Sequence, residues 1–202
     1  MSKTICIISA TLLLLALAIL PAAAVQYQFV PSDSDLGDLD HGYYYSWGIA
    51  WTVPANEHVI GASLFIDNIN DWTNEANDHL YIHLLDDPAV GIRQWYDGQR
   101  GGDNWRQRPL IADWTDGNTW TEDLTFDFST MPGMIDTLAS YAGNNGVFGL
   151  GLDPDCHYYN SGIKLTITTI STQQVVPEPS SLSALALGML SFGGLVRRRR
   201  SA

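Results

Sequence analysis

The chain has 202 residues, of which 46% are hydrophobic and 16% charged, and its formal net charge at pH 7 is −12. This acidity disfavours nucleic acids and anionic lipids as partners, and it suits divalent cations, neutral glycans or basic proteins better. The length is that of one domain with a short segment at each end.

Residues 1–24 have the organisation of a secretory signal peptide. Lys3 gives a basic start, residues 5–20 form an apolar run, and Ala22-Ala23-Ala24 offers a small-residue cleavage site. We therefore expect export and a mature chain that begins at Val25 or Gln26. An uncleaved N-terminal anchor is the alternative.

The predicted folded domain covers residues 25–175 and contains 21 of the 22 acidic residues but 5 of the 10 basic ones, a net charge of −16. Short β-rich runs separated by Gly, Asn, Asp and Pro predict seven strands. These strands lie near Tyr43–Val53, Val59–Asn68, His79–Leu85, Ala89–Tyr96, Trp120–Phe128, Gly146–Leu152 and Gly162–Ile170. Alternation predicts that Leu124, Phe126, Phe128, Leu165 and Ile167 face the core.

One helix is predicted at Met131–Tyr141, with Thr130 as its N-cap and Gly143 at its end. Many short strands and a single helix indicate a mainly β protein. We expect its core to be an antiparallel β-sandwich, jelly-roll-like or immunoglobulin-like.

His79 and His83 are separated by three residues, a spacing that brings two histidines to one metal ion on a helix. Leu80, Ile82 and Leu84 alternate with them, which predicts a strand that sets the histidines about 13 Å apart. We therefore expect a solvated or rim face rather than a zinc site.

Cys156 is the only cysteine that would remain after signal cleavage, so no internal disulfide can form. A buried, unreactive thiol is the favoured interpretation, and a reactive or intermolecular thiol is the alternative. Because neighbours in an extended chain point to opposite faces, His157 is not expected to form a catalytic pair with Cys156. Residues 153–162 read as a loop of oxygen ligands and aromatics between two strands, a position where binding residues are frequent.

Clusters of acidic residues are compatible with a calcium site, since calcium binds about six to eight oxygen ligands. Asp67 and Asp71 form one cluster and Asp153 and Asp155 another, and a sandwich could bring the two to one edge. No other cofactor is indicated. The alternative is that these acids are turn formers on a solvated surface.

Aromatic residues are frequent, with 7 tryptophans and 9 tyrosines. Trp95, Trp105, Trp114 and Trp120 share a segment with Asp, Asn, Gln and Arg side chains, a combination that can stack on sugars and hydrogen-bond their hydroxyls. The Gly-rich stretch 98–105 is expected to be a flexible loop. Packing in the core, or stacking on arginine, is the competing interpretation of the tryptophans.

Motifs of the common catalytic classes (G-x-S-x-G, H-E-x-x-H and a Gly-Lys phosphate loop) do not occur in the sequence. Carboxylates are numerous enough that composition does not exclude a glycosidase pair. We nevertheless expect a protein without enzymatic activity.

Residues 176–202 combine three features in order. Val176, Pro177, Glu178 and Pro179 form an extended segment that cannot join a helix or sheet. The apolar run 180–196 follows, and the 16 uncharged residues 181–196 give roughly 24 Å of helix against about 30 Å of hydrocarbon. The run therefore spans a membrane only with local thinning or snorkelling. A basic membrane stop follows the run and should stay cytoplasmic. It consists of Arg197, Arg198, Arg199 and Arg200. An amphipathic or buried core helix is the alternative.

This tail resembles the PEP-CTERM sorting signal of Gram-negative bacteria, by its Val-Pro-Glu-Pro segment, its Gly-containing apolar run and its four arginines. The resemblance implies an exosortase, a membrane transpeptidase with a cysteine nucleophile, as the processing partner. It also implies a precursor anchored transiently in the inner membrane, followed by delivery to the cell surface or extracellular matrix. Bacteria with this system typically make exopolysaccharide.

Three functions stay open for the folded domain. We favour a non-catalytic structural or adhesive component of an exopolysaccharide-associated, biofilm-type matrix. The second is a carbohydrate-binding module, with or without calcium. The third is a polysaccharide hydrolase.

Overall fold

The computed structural model describes residues 24–32, 36–71, 78–98, 101–116 and 120–172. The sorting segment and the predicted signal peptide, apart from Ala24, lie outside these ranges. Among the described residues, no helix is long and apolar enough to cross a membrane.

Within the described ranges the chain forms ten strands, one short 3₁₀ helix and one α-helix. The strands are β1 (Ala24–Phe29), β2 (Tyr43–Ala50), β3 (Glu57–Asp71), β4 (His79–Asp86), β5 (Gly91–Tyr96), β6 (Leu110–Thr115), β7 (Glu122–Asp127), β8 (Val147–Pro154), β9 (Tyr158–Tyr159) and β10 (Gly162–Ser171). The 3₁₀ helix (Phe128–Thr130) and α1 (Met134–Asn144) lie between β7 and β8.

Two antiparallel sheets are formed from these strands. The first has the order β1–β10–β3–β7, with β9 paired to the far end of β3, and the second has the order β5–β2–β8–β4–β6. The mainly β, antiparallel fold predicted from the sequence is confirmed.

The hydrophobic core consists of alternate residues of both sheets. Its fully buried members include Leu64, Ile66, Leu165 and Ile167 from the first sheet and Leu80, Ile82, Leu84, Leu150 and Leu152 from the second. The inward positions predicted from alternation are confirmed for Leu124, Phe128, Leu165 and Ile167, while Phe126 is half-buried. This alternation is the pattern of a strand with one face on a core and one face outward.

The helix differs from its prediction at both ends. It begins at Met134, and its N-cap is Gly133, whose φ of 74° is a left-handed conformation that suits glycine. The Thr130 hydroxyl instead donates to the carbonyl of Asp127 within the 3₁₀ helix, so its prediction as N-cap was wrong. Gly143 lies inside the helix, which continues to Asn144.

All seven predicted strands occur, with ends shifted by a few residues, but three others were not predicted. β1 and β6 are six residues long and β9 has two. β9 lies within the predicted loop 153–162, and β8 extends into that loop as far as Pro154.

Candidate functional site

The chain between β5 and β6, described at residues 97–98 and 101–109, covers part of the outer face of the second sheet. On that face Gly151 is paired with Ser46 of β2 on one side and His83 of β4 on the other. A Cβ atom at position 151 would lie 2.9 Å from three ring atoms of Trp105. Trp105 therefore rests directly on the sheet, in space that only glycine leaves open.

Three aromatic side chains, Tyr44, Trp95 and Trp105, form what we call the aromatic shelf. Tyr44 and Trp95 are register partners on β2 and β5, and their rings stack with centroids 5.4 Å apart and planes 17° apart. Trp105 meets both rings edge-on, at 5.4 Å and 6.0 Å. Trp95 keeps 39% of its surface exposed. The shelf is therefore a supported flat apolar surface that is partly open to solvent.

A polar cleft of about 390 Å³ adjoins the shelf. Its lining is Asp103, Asn104, Trp105, Arg106, Gln107 and Arg108. The indole N–H of Trp105 is buried and has no acceptor among the described residues. The cleft thus presents donors and acceptors next to an aromatic surface, the usual combination in a small-molecule or glycan site.

Asp153 lies beneath this loop and is fully buried. Its Oδ2 atom accepts the backbone N–H of Asn104. Burial raises the pKa of Asp153 to about 7; the hydrogen bonds from Asn104 oppose the rise, and the charges of Asp97 and Asp103 add to it. The carboxyl group is therefore poised to gain or lose a proton near neutral pH.

Two more carboxylates accept hydrogen bonds from backbone N–H groups of glycines in this loop. Gly102 donates its N–H to Oδ1 of Asp155 at 2.7 Å, and Gly101 donates to Oδ2 of Asp97 at 3.2 Å. Burial raises the pKa of Asp155, against the lowering effects of the Gly102 hydrogen bond and of His79. The described part of the predicted flexible loop is therefore hydrogen-bonded to carboxylates that directly follow β5 and β8.

His83 fixes the other side of the loop to β4. Its Nδ1 atom lies 3.0 Å from the carbonyl oxygen of Arg108, which can only accept, so Nδ1 carries a proton. Its Nε2 atom lies 3.1 Å from Oδ2 of Asp103, an ion-pair contact when the ring is doubly protonated. His83 is 1% exposed. The expectation of a solvated face was wrong for His83, because the loop covers it; His79 is half-buried beside Asp113.

Among the described residues, two groups bring three potential metal ligands within 4.8 Å of one another. The first is Asp40, His41 and His157, all half-buried, with the two imidazole rings 4.4 Å apart. The second is Asp71, Asp78 and Cys156, all buried. Cys156 and His157 belong to different groups.

Among the described residues, neither candidate metal group contains more than one of the four acids predicted as metal ligands. Asp153 and Asp155 lie under the loop over the second sheet. Asp71 lies at the end of β3 in the buried group, and Asp67, four residues earlier on that strand, accepts from the Asn68 side chain. The suggested calcium site stays a prediction.

The four tryptophans predicted to bind glycan are also separated. The structure brings Trp95 and Trp105 together on the shelf. Trp114 packs against the core and lies 5.4 Å from the Tyr158 ring, and Trp120, 76% exposed, precedes β7 of the first sheet. Tyr44 was missed, although its place in the aromatic run 43–45 was a usable signal.

These observations define a β-sandwich-like protein with an aromatic and polar surface on one sheet. Residues 175–200 match the family model described as the PEP-CTERM protein-sorting motif, so the chain carries the sorting motif that the sequence predicted. The motif supports export, a membrane-anchored precursor and processing by an exosortase in a Gram-negative bacterium.

No curated protein matches the chain. Among solved structures, a Drosophila NLP core, described in terms of pentamer formation and histone binding, is 12% identical and covers 75% of this chain and 100% of its own, with a TM-score of 0.25. A structure of Maize Chlorotic Mottle Virus is 10% identical and covers 77% of this chain and 97% of its own, with a TM-score of 0.28. TM-scores this low do not establish a shared fold.

Proposed function

We propose that this chain is a non-catalytic component of the cell surface or extracellular matrix that binds exopolysaccharide through the aromatic shelf. The observation that carries the proposal is Trp95, partly exposed and stacked on Tyr44 beside a polar cleft. A sugar ring can lay its C–H face on such an indole while its hydroxyls bond to the cleft. The sorting motif supports export of the chain, which a role in binding exopolysaccharide outside the cell requires.

The net charge of the domain favours one class of glycan, neutral rather than anionic, as the ligand. The predicted domain carries a net charge of −16, which repels polyanions at low ionic strength. A neutral polysaccharide is therefore the favoured ligand. The donors on Arg106, Gln107 and Arg108 suit hydroxyl oxygens.

Retention of the purified full-length chain on the host's own exopolysaccharide tests this proposal, once with calcium and once with EDTA. Retention in both supports a calcium-independent shelf, and retention only with calcium supports binding organised by the carboxylates near the cleft. No retention in either would overturn the glycan proposal. Release of reducing ends from the bound polysaccharide would overturn the non-catalytic part.

A further inference from the structure

Asp71, Asp78 and Cys156 lie at an edge where the two sheets meet. Asp71 ends β3 of the first sheet, Asp78 directly precedes β4 of the second, and Cys156 lies between β8 and β9. Their oxygen and sulfur atoms lie within 4.8 Å of one another. The Cys156 thiol donates to Oδ1 of Asp71 at 3.3 Å.

This group is buried, with Asp71 at 7%, Asp78 at 6% and Cys156 at 0% exposure. A third carboxylate is close, since Oδ2 of Asp116 accepts the backbone N–H of Asp71 at 3.2 Å. Several carboxylates and a thiol buried this close together repel one another when ionised, and a bound cation offsets that repulsion. The group therefore favours a positively charged ligand.

Tyr158 provides an independent indication that something binds here. The side chain is fully buried, and its hydroxyl has no hydrogen-bond partner among the described residues. Asp71 and Tyr158 are register partners on β3 and β9, so their side chains share a face. The hydroxyl is therefore a buried donor on the face where the carboxylate of Asp71 can accept from it.

We propose that Asp71, Asp78 and Cys156 bind one divalent ion of the zinc class, with the Tyr158 hydroxyl donating to a coordinated carboxylate. Thiolate sulfur excludes calcium and magnesium as the preferred ions, because both take oxygen ligands. Zinc accepts sulfur and carboxylate together. On binding, the metal–sulfur bond forms and the thiol proton passes to solvent.

The ion would connect Asp71 of the first sheet to Asp78 at the start of β4 in the second sheet. It would also account for an exported protein with a single cysteine in its predicted mature chain. The proposal is independent of glycan binding, since the shelf lies on the outer face of the second sheet.

Cobalt(II) is the probe, because a cobalt–thiolate bond gives a charge-transfer absorption in the near ultraviolet. We expect the metal-free chain, purified after export without the predicted signal peptide that contains Cys6, to show this band with equimolar cobalt, and zinc to remove it and raise Tm. Cys156→Ser should abolish the band, and Asp78→Asn should weaken zinc binding by roughly tenfold or more. Asp67→Asn, on the same strand as Asp71, is the matched control and should change neither.

Absence of the band, or its persistence in Cys156→Ser, would overturn the proposal. So would zinc binding that Asp78→Asn leaves intact but His157→Gln removes, because that result places the ion in the Asp40, His41 and His157 group. Tm without metal checks that each variant folds. If Cys156→Ser fails to fold, the Asp78→Asn and His157→Gln pair decides between the two groups.

Discussion

The carboxylate of Asp153 on β8 accepts the backbone N–H of Asn104, 49 positions earlier in the chain. The contact joins a fully buried acid to a loop on the outer face of the second sheet. The other oxygen of Asp153 has no hydrogen-bond partner among the described residues. A single titratable group therefore influences how firmly the cleft-forming loop is held.

We expect Asp153 to make the free energy of unfolding fall as pH rises from about 4 to about 8. Burial raises its pKa from 3.8 to about 7 in the folded protein. The folded state therefore keeps a proton that the unfolded chain releases, so this stabilisation is full below pH 3.8 and is lost as pH rises through 7. The loss is on the order of a few kcal/mol. Urea unfolding in EDTA across this range measures it.

Asp153→Asn keeps an oxygen for the Asn104 N–H and removes the charge. The free energy of unfolding of this variant should no longer fall as pH rises. Above neutral pH it should exceed that of the parent protein. Asp127→Asn is the control, since hydrogen bonds from Ser129 lower the pKa of this exposed carboxyl and confine its effect to acidic pH. If the free energy of unfolding of Asp153→Asn falls with pH as steeply as that of the parent, the pH dependence does not come from Asp153.

Gly151→Ala should displace Trp105 from the sheet, because the added methyl group would lie 2.9 Å from the indole ring. We expect a destabilisation of about 1–3 kcal/mol and greater access of iodide to tryptophan fluorescence. The matched control is Gly143→Ala, where no atom lies within 4 Å of the added methyl. That helical change should stabilise the protein by about 0.5–1 kcal/mol. Equal stability changes in the two variants would show that Trp105 does not depend on the glycine.

The strands could be predicted from the sequence more completely than the loop before β6 and the start of the helix. Alternation identified Leu165 and Ile167 as inward residues because a two-residue period reports burial directly. The loop before β6 was read as flexible, since its glycines carry no periodic signal. The hydrogen bonds that hold this loop, such as that from Gly102 to Asp155, connect residues 53 positions apart. No local sequence pattern indicates such a pairing. The helix start was missed because Gly133 acts through backbone conformation rather than through a capping side chain.

Asp103→Ala should loosen the loop without unfolding the sandwich. Asp103 contacts Nε2 of His83 and accepts the backbone N–H of Trp105 at 2.8 Å. Removing the Asp103 side chain removes both contacts, so hydrogen exchange of the Trp105 amide should become faster. Exchange of the Leu150 amide should stay slow. Asp136→Ala, on the exposed face of α1, should leave both rates unchanged. Parent-like exchange at Trp105 in Asp103→Ala would show that the loop is held by other contacts.

Replacing Pro177, Glu178 and Pro179 with alanine should leave an unprocessed precursor in the membrane fraction. The three residues lie near the start of the matched sorting motif, and without the prolines the segment can join a helix. Immunoblots of membrane and released fractions measure the outcome. Normal release of this variant would contradict the sorting assignment.

The most direct test of the shelf compares Trp95→Ala with Trp120→Ala for affinity to the host exopolysaccharide. Both tryptophans are exposed, at 39% and 76%, but only Trp95 belongs to the shelf. We predict that Trp95→Ala weakens binding by roughly tenfold or more, about 1.4 kcal/mol, while Trp120→Ala binds as the parent does. Parent-like binding by Trp95→Ala, with its fold intact, would contradict the proposed function.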